Sequence, residues 1–306
     1  MSATDKEGCK LASPIDEFYD LEDLQLNLNP SSFKRETSWG NLGYWQLNPQ
    51  GQIETPSGQL PYAHACSELA VQLANLAKLN QLSEDHVVLD TGFGCGDQLL
   101  EWHARYGVKH LYGINYSQSQ TQLALNLVKE HGIQTYTLKQ GDACDDKQWT
   151  SFPRQFDRIL ALDCIYHFNE KPRYLGICAG RLKDQGILAI SDLLLSKPIA
   201  NPLHGLLLRL ICKLSHIPYG NLMTLSKYEQ NLKALGLELT DRWEVSEHVF
   251  IPFGTWLDAF IKDLDKSKNA GKKRHWLKYK GTAWFLRWAY NKQILKYYLL
   301  QARPIK

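Results

Sequence analysis

Three glycines alternate with other residues directly after a short hydrophobic run. The segment is V-V-L-D-T-G-F-G-C-G-D over residues 87–97, with Asp90 two residues before the first glycine. Glycine lets a loop turn tightly and lets a ligand approach the backbone where a Cβ would block it. The dinucleotide pattern G-x-G-x-x-G places its third glycine one residue further along. The spacing therefore predicts a ligand-binding loop and disfavours a dinucleotide site.

Polar residues also follow the next two hydrophobic runs. Asn115, Tyr116 and Gln120 belong to the segment G-I-N-Y-S-Q-S-Q after the second run, and Asp142 and Ala143 end the third run in Q-G-D-A. Ligands of open α/β sheets bind outside the carboxyl ends of the strands. We therefore expect these residues to lie beside the glycine loop.

Three titratable side chains follow the fourth hydrophobic run. Asp163, Tyr166 and His167 stand in the segment D-C-I-Y-H-F. Each is a candidate to accept a proton from a reacting group, which is the task of a general base. For His167 the sequence favours a place in the pocket wall or at a helix cap over that of a base.

The elements that must position these residues alternate between strand and helix patterns, which predicts a doubly wound α/β fold. We expect a seven-stranded, mostly parallel, Rossmann-like sheet with a helical lid insertion at about residues 197–235. A basic hinge at Lys266–His275 should interrupt a last helical region, 255–293. The predicted strands are 86–91, 109–115, 134–140, 156–163, 186–194, 237–249 and 296–303. The predicted helices before the lid are 63–80, 97–106, 117–131 and 170–182.

Taken together, these segments resemble the class I S-adenosylmethionine-dependent methyltransferases, with residues 87–97 as motif I. The segment G-I-N-Y-S-Q-S-Q and the element Gly43-Tyr44-Trp45 are most similar to the cyclopropane-fatty-acid-synthase, tocopherol and sterol methyltransferase group. The resemblance covers the core over residues 86–193. It implies an enzyme that uses S-adenosylmethionine as its cofactor.

The resemblance also implies which residues contact that cofactor. The glycine loop would pass under its amino-acid part, the end of the second strand would hold the ribose and adenine, and the aromatic pair would close the pocket. Asp142 would accept from the adenine amino group, and the backbone N–H that follows would meet the ring. The implied contact residues are Tyr44, Trp45, Asp90, Gly92, Gly94, Gly96, Asn115, Tyr116, Gln120, Asp142, Ala143 and Asp163.

Two positions depart from the pattern of that group. Asn115 stands where many members carry an acid for the ribose hydroxyls, and Tyr166 stands where cyclopropane synthases carry a glutamate. The second departure argues against cyclopropanation and favours a simpler nucleophilic acceptor. The predicted function is in-line transfer of a methyl group to a small apolar acceptor with a thiol, hydroxyl or amine group, with Asp163, Tyr166 and His167 as the catalytic candidates. The alternatives are a membrane-surface methyltransferase of a lipid or quinone precursor and a non-catalytic cofactor-binding scaffold.

Composition limits the remaining possibilities. The 306-residue chain has a formal net charge of +3 and seven cysteines without metal-ligand spacing, which argues against nucleic acid and a metal site. We expect a cytoplasmic protein, with residues 1–62 as an extension and aromatic cap segment and 63–306 as the methyltransferase domain. Lys262–Lys306 is rich in basic and aromatic residues and is a candidate for peripheral membrane contact.

Overall fold

The computed structural model describes residues 26–29, 32, 34–83, 85–266 and 273–305. The acidic stretch before residue 26 and the centre of the predicted hinge, 267–272, lie outside the described residues.

Nine strands form two sheets in the described part of the chain. The seven-stranded sheet has the order β5-β4-β3-β6-β7-β9-β8, in which β9 runs antiparallel to both of its neighbours and the other adjacent pairs are parallel. This confirms the predicted fold class. The strands are β1 Leu28–Asn29, β2 Lys34–Arg35, β3 Val88–Thr91, β4 Leu111–Asn115, β5 Tyr136–Gln140, β6 Phe156–Ala161, β7 Leu182–Leu195, β8 Leu237–Glu244 and β9 Leu295–Pro304.

Eight α-helices accompany the sheet in the described ranges. The helices are α1 Pro61–Leu76, α2 Asp97–Tyr106, α3 Gln118–Glu130, α4 Lys171–Arg181, α5 Pro202–Leu214, α6 Leu225–Ala234, α7 Ser246–Lys266 and α8 Lys273–Asn291. Helix α1 packs on the sheet through residues that recur at helical spacing, and Leu69 and Leu73 are fully buried. None of the helices in the described ranges is long and apolar enough to cross a membrane.

The order of the strands determines where a ligand binds. The chain steps outward from β3 to β4 and β5, and then returns to the other side of β3 to form β6 and β7. The loops after β3 and β6 therefore diverge, and they open a crevice at the carboxyl ends of the strands. Every residue of β3 is buried, so the loop that follows it starts from a rigid support.

The predicted strand over 237–249 is correct only up to Glu244. Helix α7 begins at Ser246, and Val249, Phe253 and Leu257 are buried on one face of it. These three apolar residues recur every fourth position, which is the spacing of a helix face. The alternation of apolar and polar residues that begins at Leu237 continues to Val249, so the sequence pattern of the strand runs beyond Glu244, where the strand ends.

Candidate functional site

A cavity of about 330 Å³ opens at the carboxyl ends of β3, β4, β5 and β6. The N-terminal segment 38–42 and helix α8 form its other walls. The lining includes most of the sequence-predicted site residues, namely Gly92, Gly94, Asn115, Tyr116, Gln120, Asp142, Ala143, Asp163, Tyr166 and His167.

The three glycines of the loop after β3 meet different requirements. All three have a positive φ, of 74°, 57° and 100° in chain order. A Cβ on Gly92 would lie 2.6 Å from Sγ of Cys164, and one on Gly96 would lie 2.8 Å from Cβ of Ala124. A Cβ on Gly94 would have no protein atom within 4 Å, and Gly94 lines the cavity. Gly92 and Gly96 thus permit close packing, whereas Gly94 leaves the cavity open.

Asp90 is buried behind the loop and is not among the residues that line the cavity. Its carboxylate accepts from Nε2 of Gln98 at 2.8 and 3.0 Å and from the indole N–H of Trp102 at 2.5 Å. Burial raises the pKa of Asp90 to about 6, and these hydrogen bonds oppose the rise. Asp90 joins the loop to helix α2 and shapes the site from behind, so a direct cofactor contact does not follow from its position.

Asp97 lies at the start of α2 and lines the cavity. Its Oδ1 accepts from the backbone N–H of Ser38 at 3.0 Å, while its buried Oδ2 has no hydrogen-bond partner among the described residues. Burial raises the pKa of the Asp97 carboxyl. Sequence reasoning missed this residue because an acid directly after the third glycine also fits an ordinary helix start. An unpartnered buried carboxylate oxygen suits a cationic group of a ligand.

The end of β4 brings Asn115 and Gln120 together. Nδ2 of Asn115 donates to Oε1 of Gln120 at 3.1 Å, and Oγ of Ser117 caps α3 by accepting from the Gln120 backbone N–H at 3.3 Å. The cap places Gln120 in the first turn of the helix, where it faces the strand end. Tyr116, which is 39% exposed, forms the outer rim beside them.

The loop after β5 presents Asp142 and Ala143 to the same cavity. Oδ1 of Asp142 accepts from the backbone N–H of Cys144 at 2.8 Å, which fixes the carboxylate in a tight turn. The carbonyl of Ala143 accepts from the indole N–H of Trp149 at 3.1 Å. These bonds hold the loop in one conformation at the edge of the cavity.

Asp163 joins three parts of the molecule. Its Oδ2 accepts from the backbone N–H of Leu42 at 2.8 Å, and its Oδ1 accepts from the hydroxyls of Tyr166 at 2.8 Å and Tyr297 at 2.5 Å. Burial raises the pKa of Asp163, and these three donors oppose the rise. The residue has φ of +53°, in the left-handed region, and its N–H donates to Oγ of Ser191 at 2.6 Å. A carboxylate engaged in this way positions its neighbours and is poorly suited to act as a base.

His167 lies half-buried at the cavity wall next to Tyr166, with ring centroids 4.5 Å apart. Its Nδ1 lies 3.3 Å from the carbonyl oxygen of His216. Burial lowers the pKa of His167 to about 4. The ring is therefore neutral at physiological pH, and its backbone hydrogen-bond partners are His216 and Ser215.

Tyr44 and Trp45 do not line the cavity, contrary to the position the resemblance implies for them. Gly43 turns the chain with φ of +77°, and after this turn Tyr44 stacks on His248 at 4.4 Å while Trp45 is buried against Trp256 at 5.4 Å. The residues before the turn line the cavity instead, in the segment 38–42. The aromatic pair anchors this wall on α7.

The wall farthest from the strand ends is largely apolar. The predicted lid at 197–235 contributes to it only through 215–217, because its leucines on α5 do not line the cavity. Helix α8 contributes more, and of its aromatic residues Tyr279 and Phe285 line the cavity while Trp276, Trp284 and Trp288 do not. Outside the ends of β3, β4, β5 and β6 and the loops that follow them, the apolar and aromatic lining residues are Leu26, Trp39, Leu42, Tyr62, Leu193, Ile217, Phe253, Tyr279, Phe285 and Leu286.

The fold and this cavity define the class of the protein, a class I S-adenosylmethionine-dependent methyltransferase. The sequence model of the mycolic acid cyclopropane synthetase family matches residues 68–287 of this chain. The chain therefore belongs to this family, and S-adenosylmethionine is its cofactor.

Individual relatives agree with the assignment. The chain is 28% identical to erythromycin 3''-O-methyltransferase of Saccharopolyspora erythraea over 75% of its length and 70% of the relative's. It is also 28% identical to a ubiquinone biosynthesis O-methyltransferase of Rhodopseudomonas palustris, over 60% of this chain and 73% of that one. The solved structure of a cyclopropane synthase from Mycobacterium tuberculosis has the same fold, with a TM-score of 0.68 at 16% identity and coverage of 95% of this chain and 98% of that chain.

Proposed function

We propose that this enzyme transfers the methyl group of S-adenosylmethionine to a hydroxyl group of a small apolar acceptor. The observation that carries the proposal is one continuous cavity with polar groups at the strand ends and an aromatic and aliphatic wall opposite them. A site of this kind binds an apolar ligand by its wall and orients it by a few polar groups. Two of its relatives are named as O-methyltransferases, which favours oxygen as the acceptor atom.

The polar end of the cavity has groups that match the parts of the cofactor. The unpartnered Oδ2 of Asp97 would hold the ammonium group, and Asn115 with Gln120 would hold the ribose. Asp142 would accept from the adenine amino group, beside the backbone N–H of Ala143. Gly94 leaves room for the ligand to lie against the loop. When bound, S-adenosylmethionine supplies an electrophilic methyl group on a positively charged sulfur.

The apolar wall serves to orient the acceptor and to exclude water. Trp39 and Tyr62 approach the cavity from the N-terminal side, and Phe253 and Phe285 approach it from α7 and α8. In-line displacement requires the attacking oxygen to be held in a narrow range of positions, which closely packed aromatic side chains provide. The hydrogen bonds of Asp163 hold the N-terminal segment against the sheet, because its carboxylate accepts from Leu42 and from Tyr297 of β9.

A hydroxyl acceptor must lose its proton, and we assign the acceptance of that proton to His167. The ring is neutral above a pKa of about 4, and a neutral imidazole retains one acceptor nitrogen. Tyr166 donates to Asp163 and packs against the His167 ring, so both residues position the histidine.

His167→Gln should lower kcat by about a hundredfold, within the usual range for loss of a general base. The wild-type kcat should be independent of pH between about 5.5 and 8, since His167 becomes protonated, and loses its acceptor nitrogen, only near a pKa of about 4. Tyr166→Phe is the control, because it keeps the ring beside His167 and should leave this profile flat. An inflection of the kcat profile at about pH 6.5, the pKa of an unperturbed histidine, would contradict the assignment.

Asp142→Asn should weaken S-adenosylmethionine binding by roughly tenfold, as expected for one lost hydrogen bond to a charged group. The asparagine can still accept from the Cys144 N–H, but it then presents its NH₂ group to the adenine amino group. Asp145→Asn is a matched control, because Asp145 caps a neighbouring turn by accepting from the Lys147 N–H and does not line the cavity. Equal affinities of the two variants in calorimetric titration would remove Asp142 from the cofactor site.

The proposal for the acceptor is tested with matched compounds that share one alkyl-substituted aromatic ring and carry a hydroxyl, thiol or amine. Mass spectrometry identifies the methylated atom, and release of S-adenosylhomocysteine gives the rate. We expect methylation on oxygen, with kcat/KM rising as the alkyl chain lengthens because each methylene contributes about 0.8 kcal/mol on burial. Methylation confined to sulfur or nitrogen, or no effect of chain length, would contradict the proposal.

A further inference from the structure

Helix α5 carries apolar residues on the face that it presents to solvent. Leu203, Leu206, Leu210 and Leu214 are 73%, 67%, 52% and 67% exposed, and we call these four residues the leucine stripe. Their spacing of three or four residues places them along one side of the helix. Leu208, by contrast, is fully buried against the protein. A surface helix normally turns its polar side to water, so the stripe is a candidate interaction surface.

The apolar surface continues from α5 onto α8. The ring of His204 meets Trp288 at 5.4 Å, and Trp288 stacks on Trp284 at 6.1 Å with an angle of 11° between the planes. Trp284 is 52% exposed, and Leu277, two helical turns earlier, is 66% exposed. The two helices therefore present one extended surface of leucine and tryptophan side chains.

The charges on these two helices are of one sign. Their sequences, PLHGLLLRLICKL and KRHWLKYKGTAWFLRWAYN, contain seven lysines and arginines and neither aspartate nor glutamate. Arg209 and Lys213 are exposed on α5 itself, in the two helical turns that also carry Leu210 and Leu214. Leucine and tryptophan bordered by basic residues are typical of helices that lie in the headgroup region of an anionic membrane.

The surface also adjoins the cavity. Residues 215–217, directly after α5, line the cavity, and so do Tyr279 and Leu286 on the opposite side of α8 from the exposed Leu277 and Trp284. Helix α8 and the end of α5 thus border the exposed apolar surface on one side and the cavity on the other.

We propose that the leucine stripe, with Leu277 and Trp284, docks the enzyme on the surface of an anionic phospholipid bilayer. The stripe would enter the boundary between headgroups and acyl chains, and the exposed Arg209 and Lys213 of α5 would pair with the phosphates. The docking goes beyond the proposed methyl transfer and does not depend on which acceptor atom is methylated.

The test is co-sedimentation of the full-length chain with vesicles of phosphatidylcholine alone or mixed with phosphatidylglycerol. We expect binding to the mixed vesicles that weakens as salt is added, and little binding to phosphatidylcholine alone. Leu206→Ser combined with Leu210→Ser should lower the partition coefficient by at least roughly tenfold, since two buried side chains are lost from the interface. Arg209→Gln combined with Lys213→Gln should weaken binding only to the anionic vesicles.

Ile305→Ser is the matched control, because Ile305 is 45% exposed and lies outside both helices. All variants should bind S-adenosylmethionine with wild-type affinity, so a docking failure is distinguishable from damage to the cofactor site. The proposal is overturned if the wild type does not bind the mixed vesicles or if the leucine variant binds them as well as the wild type. It is also overturned if analytical ultracentrifugation shows a wild-type dimer that the leucine variant abolishes, since a second copy would then cover the stripe.

Discussion

Gly94→Val should abolish measurable S-adenosylmethionine binding in a chain that still folds. Gly94 is the loop glycine whose missing Cβ faces open space at the cavity, so a valine side chain would occupy the volume that the cofactor needs. No atom of the rest of the fold lies within 4 Å of the added Cβ, so this carbon extends into the cavity and not into a packed neighbour. We expect affinity to fall by a hundredfold or more, or about 2.7 kcal/mol.

Backbone strain must be separated from this effect, because Gly94 has a positive φ. Gly132→Val is the matched control, since Gly132 has φ of +69° against +57° for Gly94, its added Cβ also meets no atom within 4 Å, and it lies outside the cavity. Both variants should lose a similar 1–2 kcal/mol of stability, roughly the cost of a left-handed residue. Thermal denaturation measures that loss, and calorimetric titration measures affinity. Wild-type affinity in a folded Gly94→Val would show that the cofactor does not lie against this loop.

Asp97→Asn should weaken S-adenosylmethionine binding by roughly tenfold to a hundredfold, or about 1.5–3 kcal/mol for a charge-assisted hydrogen bond. The asparagine keeps an oxygen for the Ser38 N–H but loses the negative charge of Oδ2. Affinity for 5'-methylthioadenosine, which lacks the amino-acid part, should not change. A similar loss for both ligands would contradict the pairing of Asp97 with the ammonium group.

The same substitution should leave the ligand-free protein at least as stable as the wild type. An unpartnered buried carboxylate costs free energy, and the raised pKa of Asp97 has the same cause. Asp90→Asn is the contrasting variant, because the Asp90 carboxylate accepts from Gln98 and Trp102 and the amide would place an NH₂ group against these donors. Asp90→Asn should therefore lower the melting temperature, while Asp97→Asn should not.

Most of the sheet could be predicted from the sequence because its central strands, such as β3, β6 and β7, are separate and mostly apolar runs. Where two patterns meet, this reasoning fails. The alternation over 237–244 runs directly into the helical spacing of Val249 and Phe253, and only the packing of α7 marks the boundary. Asn115 and Asp142 could be predicted to lie at the same edge of the sheet, because each follows the carboxyl end of a parallel strand and this placement depends on strand direction alone.

Other features depend on tertiary contacts that no local pattern contains. One turn at Gly43 decides that Trp39, and not Trp45, lines the cavity. Whether Asp97 caps a helix or faces a ligand depends on the unpartnered Oδ2, which only the fold determines. Helix α5 has leucines at helical spacing on both of its sides, so the sequence could not indicate which side faces solvent.

The most direct test of the proposed function is transfer of radiolabelled methyl from S-adenosylmethionine into unlabelled extracts. A lipid extract and a water-soluble metabolite extract are compared, with Gly94→Val as the enzyme control. We predict label in compounds of the organic phase, recovered as O-methyl groups, one S-adenosylhomocysteine for each methyl, and no transfer by Gly94→Val. Label confined to water-soluble products, or equal transfer by the variant, would contradict methylation of an apolar acceptor in this cavity.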